Sequence, residues 1–235
     1  GRQHDDQIEE VVAHSGGEGD VQDFIEQNKK PLMGLGIALL VIIVGFFGWR
    51  YYQTGQNVTA SNELFDSVQA FEAQLTATPD KPADFEAALN GDANTGATGV
   101  ADIANSYGST DAGNLAKYYA GIASIKKGDI ASGIDYLESV SGSGNMLGVA
   151  TNVALGFAYE DQADFANAAK AFEKAGNTVG GNEFTTPFVL QKAGENYEAT
   201  GNKGKALGLY KEIKEKYPNS EEGRAIDKYI GRASS

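Results

Sequence analysis

The sequence contains no cysteine, and its only two histidines, His4 and His14, lie within the first fourteen residues. The lack of cysteine excludes disulfides, thiolate metal sites, cysteine nucleophiles and a lipid-modified N-terminal cysteine. Everything after His14 lacks both side chains, which excludes Ser-His-Asp and Cys-His catalysis and the common zinc sites there. We expect the two histidines to be solvated tail residues rather than ligands.

Positive charge is also scarce. The 235 residues include 19 Lys and Arg against 32 Asp and Glu, which gives a formal net charge of −13. A nucleic-acid-binding domain needs a clustered basic face, so this balance argues against a nucleic-acid partner. Glu160-Asp161 and Glu221-Glu222 offer carboxylates for an enzyme such as a glycosidase, but a charge run of this kind usually faces solvent. The sequence predicts a protein that is not an enzyme and that has no cofactor and no metal site.

One uncharged stretch stands out, with the sequence LMGLGIALLVIIVGFFGW from Leu32 to Trp49. With Tyr51 and Tyr52 it is long enough to cross a bilayer, because about 20 apolar residues cover the hydrocarbon core. Aromatic residues at its C-terminal end are typical of a membrane interface. The alternatives are a buried core helix, which rarely stays uncharged this long, and a cleaved signal peptide, which has a short basic leader, whereas here the preceding region is thirty residues long and acidic. The pattern predicts an uncleaved transmembrane helix over 31–52.

The flanking charges predict the orientation of this helix. Lys29 and Lys30 precede it and Arg50 alone follows it, so the rule that positive charge stays inside favours a cytoplasmic N-terminus. Residues 1–30 are then an acidic cytosolic tail that ends in a short juxtamembrane helix with Asp20 as its N-cap. Within the span, four small residues fall on one face and predict packing against another membrane helix, although glycine is common in such helices anyway: Gly34, Ala38, Gly45 and Gly48.

Three segments of the remaining chain align with one another. They are AGIASIKKGDIASGIDYLESV from Ala120, LGFAYEDQADFANAAKAFEKA from Leu155 and AGENYEATGNKGKALGLYKEI from Ala193. In each, a glycine is followed twelve residues later by Gly or Ala and four residues further on by a large side chain. The three sets are Gly121, Gly133 and Leu137; Gly156, Ala168 and Phe172; Gly194, Ala206 and Tyr210. This spacing predicts helical hairpins whose second helix approaches the first at its glycine, with the large side chain filling the space beside the contact.

The pattern resembles the tetratricopeptide repeat (TPR), whose period is about 34 residues. The chain is therefore predicted to be all-α, with a transmembrane helix followed by a TPR α-solenoid over 110–235. The predicted repeats cover about 114–147, 149–182 and 187–220, and a capping helix with Ser220 as its N-cap follows. The extracytoplasmic linker over 53–109 is predicted to contain a helix near 58–76 that nearly continues the membrane helix, with an interruption between the two at Gly55. Two short helices, 85–89 and 100–107, and a loop over 90–99 complete this linker.

In this repeat family the first helix of each hairpin lines an inner surface that binds peptides. Carried over by position, the candidate groove residues are Leu115, Tyr118, Ile122, Ala150, Val153, Phe157, Phe188 and Gln191. Glu160, Glu195 and Glu198 would make one end acidic, which disfavours capture of a terminal carboxylate and favours an apolar or basic segment. The alternative is that several of these side chains merely pack between repeats.

The layout also resembles the YfgM-type family of bacterial inner-membrane proteins, most closely at Gly48-Trp49-Arg50-Tyr51-Tyr52 and the helix that follows. This resemblance implies a single-pass protein with a periplasmic C-terminal domain, acting as an ancillary subunit of the Sec translocon. The implied partners are a SecYEG-type channel, a PpiD-type periplasmic chaperone and client polypeptides. The alternative is an envelope scaffold or regulator of a different complex. Two short motifs, at Asn57-Val58-Thr59 and Asp66-Ser67-Val68, resemble glycosylation sites.

Overall fold

The structure, a computed structural model, describes residues 25–76, 83–92, 96–142, 144, 146–178 and 181–234. The sequence-based expectations for His4, His14 and the Asp20 N-cap lie outside these residues. The chain divides into two compact units, residues 1–52 and 53–235, and each is described by itself.

The long first helix, α1, extends from Lys29 to Leu75. Between residues 32 and 52 its large apolar side chains are exposed, and this part is long and apolar enough to cross a membrane. A Cβ atom added at Gly34, Gly45 or Gly48 would meet no described atom within 4 Å, so the packing face with Ala38 stays a prediction. The predicted interruption at Gly55 is wrong. A single glycine costs a helix only about 1 kcal/mol relative to alanine, which the helical residues on both sides outweigh.

The second unit begins with the part of α1 from residue 53 onwards. It continues with α2 (Phe85–Asn90), β1 (Gly91–Asp92), β2 (Ala97–Thr98) and α3 (Val100–Ser106). The predicted loop over 90–99 is therefore a small antiparallel pair, in which Gly91 is opposite Thr98 and Asp92 is opposite Ala97. Gly91 has a φ of 88°, a left-handed conformation that glycine adopts without strain, and it turns the chain directly after α2.

Three helical hairpins follow. They are α4 (Asp111–Lys127) with α5 (Ile130–Glu138), α6 (Met146–Asp161) with α7 (Phe165–Thr178), and α8 (Thr185–Ala199) with α9 (Lys203–Lys216). The single predicted capping helix is wrong, because two short helices, α10 (Glu221–Ala225) and α11 (Asp227–Ala233), meet at the fully buried Ile226. Ser220 does cap α10, since its hydroxyl oxygen accepts a hydrogen bond from the Gly223 amide at 2.9 Å.

Each hairpin turn uses the same local device. The second helix of every hairpin is preceded by Asp129, Asp164 or Asn202, whose side-chain oxygen accepts a hydrogen bond from the backbone N–H three residues later. Such N-caps satisfy one of the amides that a helix start leaves unpaired. The residue before each cap is left-handed, with Ala163 (φ 57°) at the position that glycine holds in the other two turns.

The predicted close approach within each hairpin is confirmed. A Cβ atom added at Gly121 would lie 2.6 Å from the Leu137 side chain, one at Gly156 would lie 2.6 Å from the Phe172 ring, and one at Gly194 would lie closer still to the Tyr210 ring. Because real Cβ atoms do not approach other atoms so closely, glycine is what permits the large side chain of the second helix to pack flat on the first.

The part of α1 from residue 53 onwards packs on the first hairpin. Phe71 is buried, with its ring centroid 5.7 Å from that of Phe85 and 5.3 Å from that of Tyr119. Asn57 accepts a hydrogen bond from the Ala112 amide at 2.9 Å, and the Tyr107 hydroxyl donates one to Glu63. A linker region was predicted over 53–109, whereas these contacts show that its described residues are part of the folded helical unit.

Candidate protein-binding surface

The eight candidate groove residues lie on the first helices of the three hairpins. Leu115, Tyr118 and Ile122 belong to α4; Ala150, Val153 and Phe157 belong to α6; Phe188 and Gln191 belong to α8. They do not share one environment, and the hairpins contribute unequally to the exposed surface.

On α4 the candidate residues are mostly covered. Leu115 packs with the cluster formed by α1, and it lines a cavity of about 420 Å³ together with Leu64 and Phe65. Tyr118 and Ile122 are half-buried against the cluster between the first two hairpins. On α6, Val153 packs on the core of the last two hairpins. For these four residues, packing between elements accounts for much of the side chain.

Phe157 and Phe188 form the exposed part of the surface. Each residue is 39% exposed, and the two ring centroids lie 6.5 Å apart. This contact joins α6 to α8. Phe157 is held in place because it packs edge-on against the buried Phe172 at 5.1 Å. The Lys192 ammonium lies 5.4 Å from the centre of the Phe157 ring. A pair of fixed aromatic rings beside a cation offers large apolar contact area at little cost in side-chain entropy.

Next to this pair, Glu160 is bound on both of its oxygens. Lys192 donates to Oε2 at 3.1 Å, and the buried Asn196 amide donates to Oε1 at 2.6 Å. These bonds tie α6 to α8 and balance the charge of the carboxylate. Lys192 and Asn196 could not be predicted as partners of Glu160, because both contacts join residues more than thirty positions apart.

Glu198, at the acidic end that the sequence predicted, is also paired with a cation. Glu198 accepts hydrogen bonds from Arg232 Nε at 3.0 Å and from the Tyr210 hydroxyl at 2.8 Å. The Arg232 guanidinium holds the pKa of Glu198 below its ordinary value. Burial, together with this carboxylate, raises the pKa of Tyr210. Because Glu160 and Glu198 are both paired, the surface is less negative than the sequence suggested.

Gln191 is oriented by two neighbours. Its amide donates to Glu195 and to the Tyr229 hydroxyl of α11, both at 3.0 Å. It is half-buried, so the C-terminal helix covers part of this end of the surface.

The two glycosylation-like motifs are engaged in the fold. Ser67 is 1% exposed, and its hydroxyl donates to the carbonyl oxygen of Thr98 at 2.5 Å. Asn57 is half-buried and accepts the Ala112 amide. In the folded unit neither side chain is presented as an open acceptor for a sugar.

Among the residues that the structure describes, no group of three or more His, Asp or Glu side chains could hold a metal ion. Among the groups with shifted pKa values at this surface, four join the last helices together: Glu198, Tyr210, Tyr229 and Arg232. Burial also raises the pKa of Tyr118 on α4.

The stacked hairpins define the class: a helical-repeat protein, in which each hairpin covers the apolar face of its neighbour and the free faces bind other polypeptides. Residues 22–227 match the family model described as a tetratricopeptide repeat-like domain, so the chain belongs to that family. Proteins with this repeat are typically non-enzymatic scaffolds for protein interactions.

Two solved structures share the fold. Both contain nearly identical TPR-like repeats of a putative kinesin light chain from Podosopora anserina, one of them with a glutamine-to-methionine substitution. Each has 14% sequence identity and a TM-score of 0.54, and the similarity covers 74% of this chain and 85% or 86% of the other. No curated protein matches the sequence.

Proposed function

We propose that this protein is a membrane-anchored TPR module that binds polypeptides through the aromatic pair of Phe157 and Phe188. The observation that carries the proposal is this exposed, fixed pair on the first-helix side of a repeat solenoid. Exposed rings of this kind are the typical anchors of protein interfaces. The balanced neighbours Glu160 and Lys192 favour a segment with an apolar anchor over one recognised by net charge alone.

The anchor gives the module its place of action. The apolar part of α1 is suited to a membrane, and it confines the repeats to a thin layer beside the bilayer. Confinement raises the effective concentration of the module toward partners in the same layer, so individually weak contacts suffice.

The more specific proposal is an ancillary subunit of the Sec translocon. The resemblance to the YfgM-type family supports it, with a SecYEG-type channel, a PpiD-type periplasmic chaperone and emerging polypeptides as partners. The N-terminus is then cytoplasmic, the helix crosses the bacterial inner membrane, and the repeats act in the periplasm. The family-model match begins at residue 22 and includes the apolar helix, which is consistent with the two parts acting together.

Site-specific photo-crosslinking tests both levels of the proposal. A photoreactive amino acid replaces Phe157 or Phe188 in the full chain, and crosslinked partners are identified by mass spectrometry after gentle detergent extraction. Phe184 is the matched control, because it is highly exposed but lies just outside α8. We expect crosslinks to channel, chaperone or exported polypeptides from 157 and 188, and few from 184.

The outcomes separate the two levels. Crosslinks from 157 and 188 to a different envelope complex would support the alternative, a scaffold or regulator of that complex, and would contradict the translocon role. Equal crosslinking from all three positions would contradict the aromatic pair as the binding surface.

A further inference from the structure

A second surface lies where first and second helices of the hairpins meet. A cavity of about 460 Å³ lies between α5, α6 and α7. Its floor includes the buried apolar side chains Leu137, Leu155 and Ala171, and Lys170 and Lys174 lie at its edge on α7.

The same two lysines also line a neighbouring cavity of about 560 Å³. This second cavity extends to Tyr197 of α8 and Lys205 of α9. Together the two cavities form a groove across α7, which we call the lysine groove and define by Lys170, Lys174 and Lys205. Phe157 and Phe188 line neither cavity, so the lysine groove is separate from the aromatic pair.

The carboxylates in this groove already have partners. Glu138 accepts a hydrogen bond from the Tyr159 hydroxyl, and Glu173 accepts one from the Tyr197 hydroxyl. Lys205 lies 3.8 Å from Glu173, at the outer limit of an ion pair, and it donates a hydrogen bond to the Tyr197 hydroxyl at 3.1 Å.

Lys170 and Lys174 are less well satisfied than the acids and than Lys205. Lys170 reaches only the side-chain oxygen of Asn167, at 3.3 Å. The Lys174 ammonium has no hydrogen-bond or ion-pair partner among the residues that the structure describes. The two cavities together are lined by three lysines and two glutamates, so in a chain with a net charge of −13 their lining is slightly positive.

We propose that the lysine groove binds an acidic, extended segment of a partner polypeptide and that an apolar side chain of this segment enters the cavity over Leu137 and Leu155. A polypeptide supplies both carboxylates and apolar side chains, which are the groups that ammonium groups and an apolar floor can bind. Complementary charge of this kind gives selectivity and speeds encounter. The protein then has two binding surfaces, and this one does not depend on the aromatic pair.

The test uses the full-length chain in nanodiscs of zwitterionic lipid. The probe is a fluorescein-labelled twelve-residue peptide of glutamate with leucine at every third position, and its counterpart has lysine in place of glutamate. We expect the acidic peptide to bind, and the Lys170→Glu/Lys174→Glu double variant to bind it at least about tenfold more weakly. The matched control, Lys203→Glu/Lys211→Glu, makes the same change in net charge at exposed positions that line neither cavity, and it should weaken binding by less than about twofold.

Further variants keep the result interpretable. Lys170→Gln/Lys174→Gln removes charge without reversing it, and circular dichroism checks that each variant is folded. Phe157→Ala/Phe188→Ala should leave the affinity for the acidic peptide unchanged, which separates this proposal from the function proposed above.

Three results would overturn the inference. The first is an equal loss of affinity in the two double lysine-to-glutamate variants, which indicates only diffuse electrostatics. The second is equal binding of the lysine peptide. The third is protection of α7 from hydrogen exchange in nanodiscs with phosphatidylglycerol, without any binding of the acidic peptide, since the surface would then bind lipid instead.

Discussion

At the scale of single residues, the hairpins depend on three glycines that face a large side chain. The tightest of these contacts is at Gly194, where the ring of the fully buried Tyr210 lies against the backbone of α8. The same tyrosine reaches Glu198 through its hydroxyl, so one side chain serves both the apolar contact and the polar network. A substitution that displaces the Tyr210 side chain therefore disturbs both the apolar contact and the polar network.

Replacing Gly194 with alanine should destabilise the repeat unit. The new methyl group would overlap a ring atom of Tyr210, and the buried ring has little room to move away. We expect a loss of about 1–3 kcal/mol in the free energy of unfolding, the usual cost of overpacking a core. Urea titration followed by circular dichroism measures it.

Gly208→Ala is the control for this prediction. Gly208 lies within α9, and an added Cβ atom there would meet no described atom within 4 Å. Alanine is the better helix former, so this variant should be as stable as the native protein or more stable by up to about 1 kcal/mol. Equal destabilisation by both substitutions would show that the contact with Tyr210 is not the reason why alanine at position 194 destabilises the protein.

The ion pair of Glu198 and Arg232 should make stability depend on acid pH. The pKa of Glu198 is lower in the folded protein than its ordinary value of 4.5, chiefly because Arg232 donates to it. Its contribution is therefore complete above about pH 4.5 and is lost as the pH falls through the lowered value. Urea midpoints measured from pH 7 down to pH 3 should fall less steeply in Glu198→Gln than in the native protein. Glu215→Gln, at an exposed position, is the reference variant. The same slope in Glu198→Gln as in the native protein would contradict this assignment.

At the scale of elements, α1 acts as more than a connection. The part of α1 from residue 53 onwards is fixed to the first hairpin by an apolar cluster, and the later hairpins have clusters of their own. In a repeat protein each unit is stabilised mainly by its direct neighbours. Damage to the α1 contact should therefore remain largely local.

Phe71→Ala should loosen the first hairpin. Phe71 is 4% exposed and contacts Phe85 and Tyr119, so its loss leaves a cavity that typically costs about 3–5 kcal/mol. Hydrogen–deuterium exchange should become faster in α4 and α5 and change little in α8 and α9. Phe65→Ala is the matched control, because Phe65 lies on the same helix and is 64% exposed. Uniform acceleration along the whole chain in Phe71→Ala would contradict local coupling.

Contacts between residues close in the chain could be predicted from the sequence, whereas contacts between distant elements could not. Gly121 with Leu137 and Gly156 with Phe172 were predictable, since a repeated spacing reports a contact within one hairpin. Ser220 was predictable as an N-cap because capping involves only the next turn. Ser67 looked like an acceptor for a sugar, and only the position of Thr98 after the β1–β2 turn shows that it is buried.

The candidate surface was predicted less completely than the fold. Phe157 and Phe188 were named from their position in the repeat, but their exposure could not be read from that position, since Leu115 has the same role and is covered by α1. The pairing of Glu160 with Lys192 joins two hairpins, and it depends on the angle at which they stack. Sequence spacing carries little information about that angle.

At the scale of the whole molecule, the lack of cysteine makes the proposed topology directly testable. Each introduced cysteine is the only thiol in the chain, so a membrane-impermeant maleimide reports the position of one residue. Ser15→Cys lies before the apolar helix, and Ser234→Cys lies at the exposed end of the repeats.

In intact spheroplasts we expect the maleimide to label residue 234 and to leave residue 15 unlabelled until the membrane is broken. The reason is that two lysines before the span against one arginine after it favour a cytoplasmic N-terminus. Leu40→Cys, inside the span, should react in neither case, since a thiol in the hydrocarbon core does not ionise. Labelling of residue 15 alone in intact spheroplasts would reverse the orientation and place the repeats in the cytoplasm, where no periplasmic chaperone could reach Phe157 or Phe188.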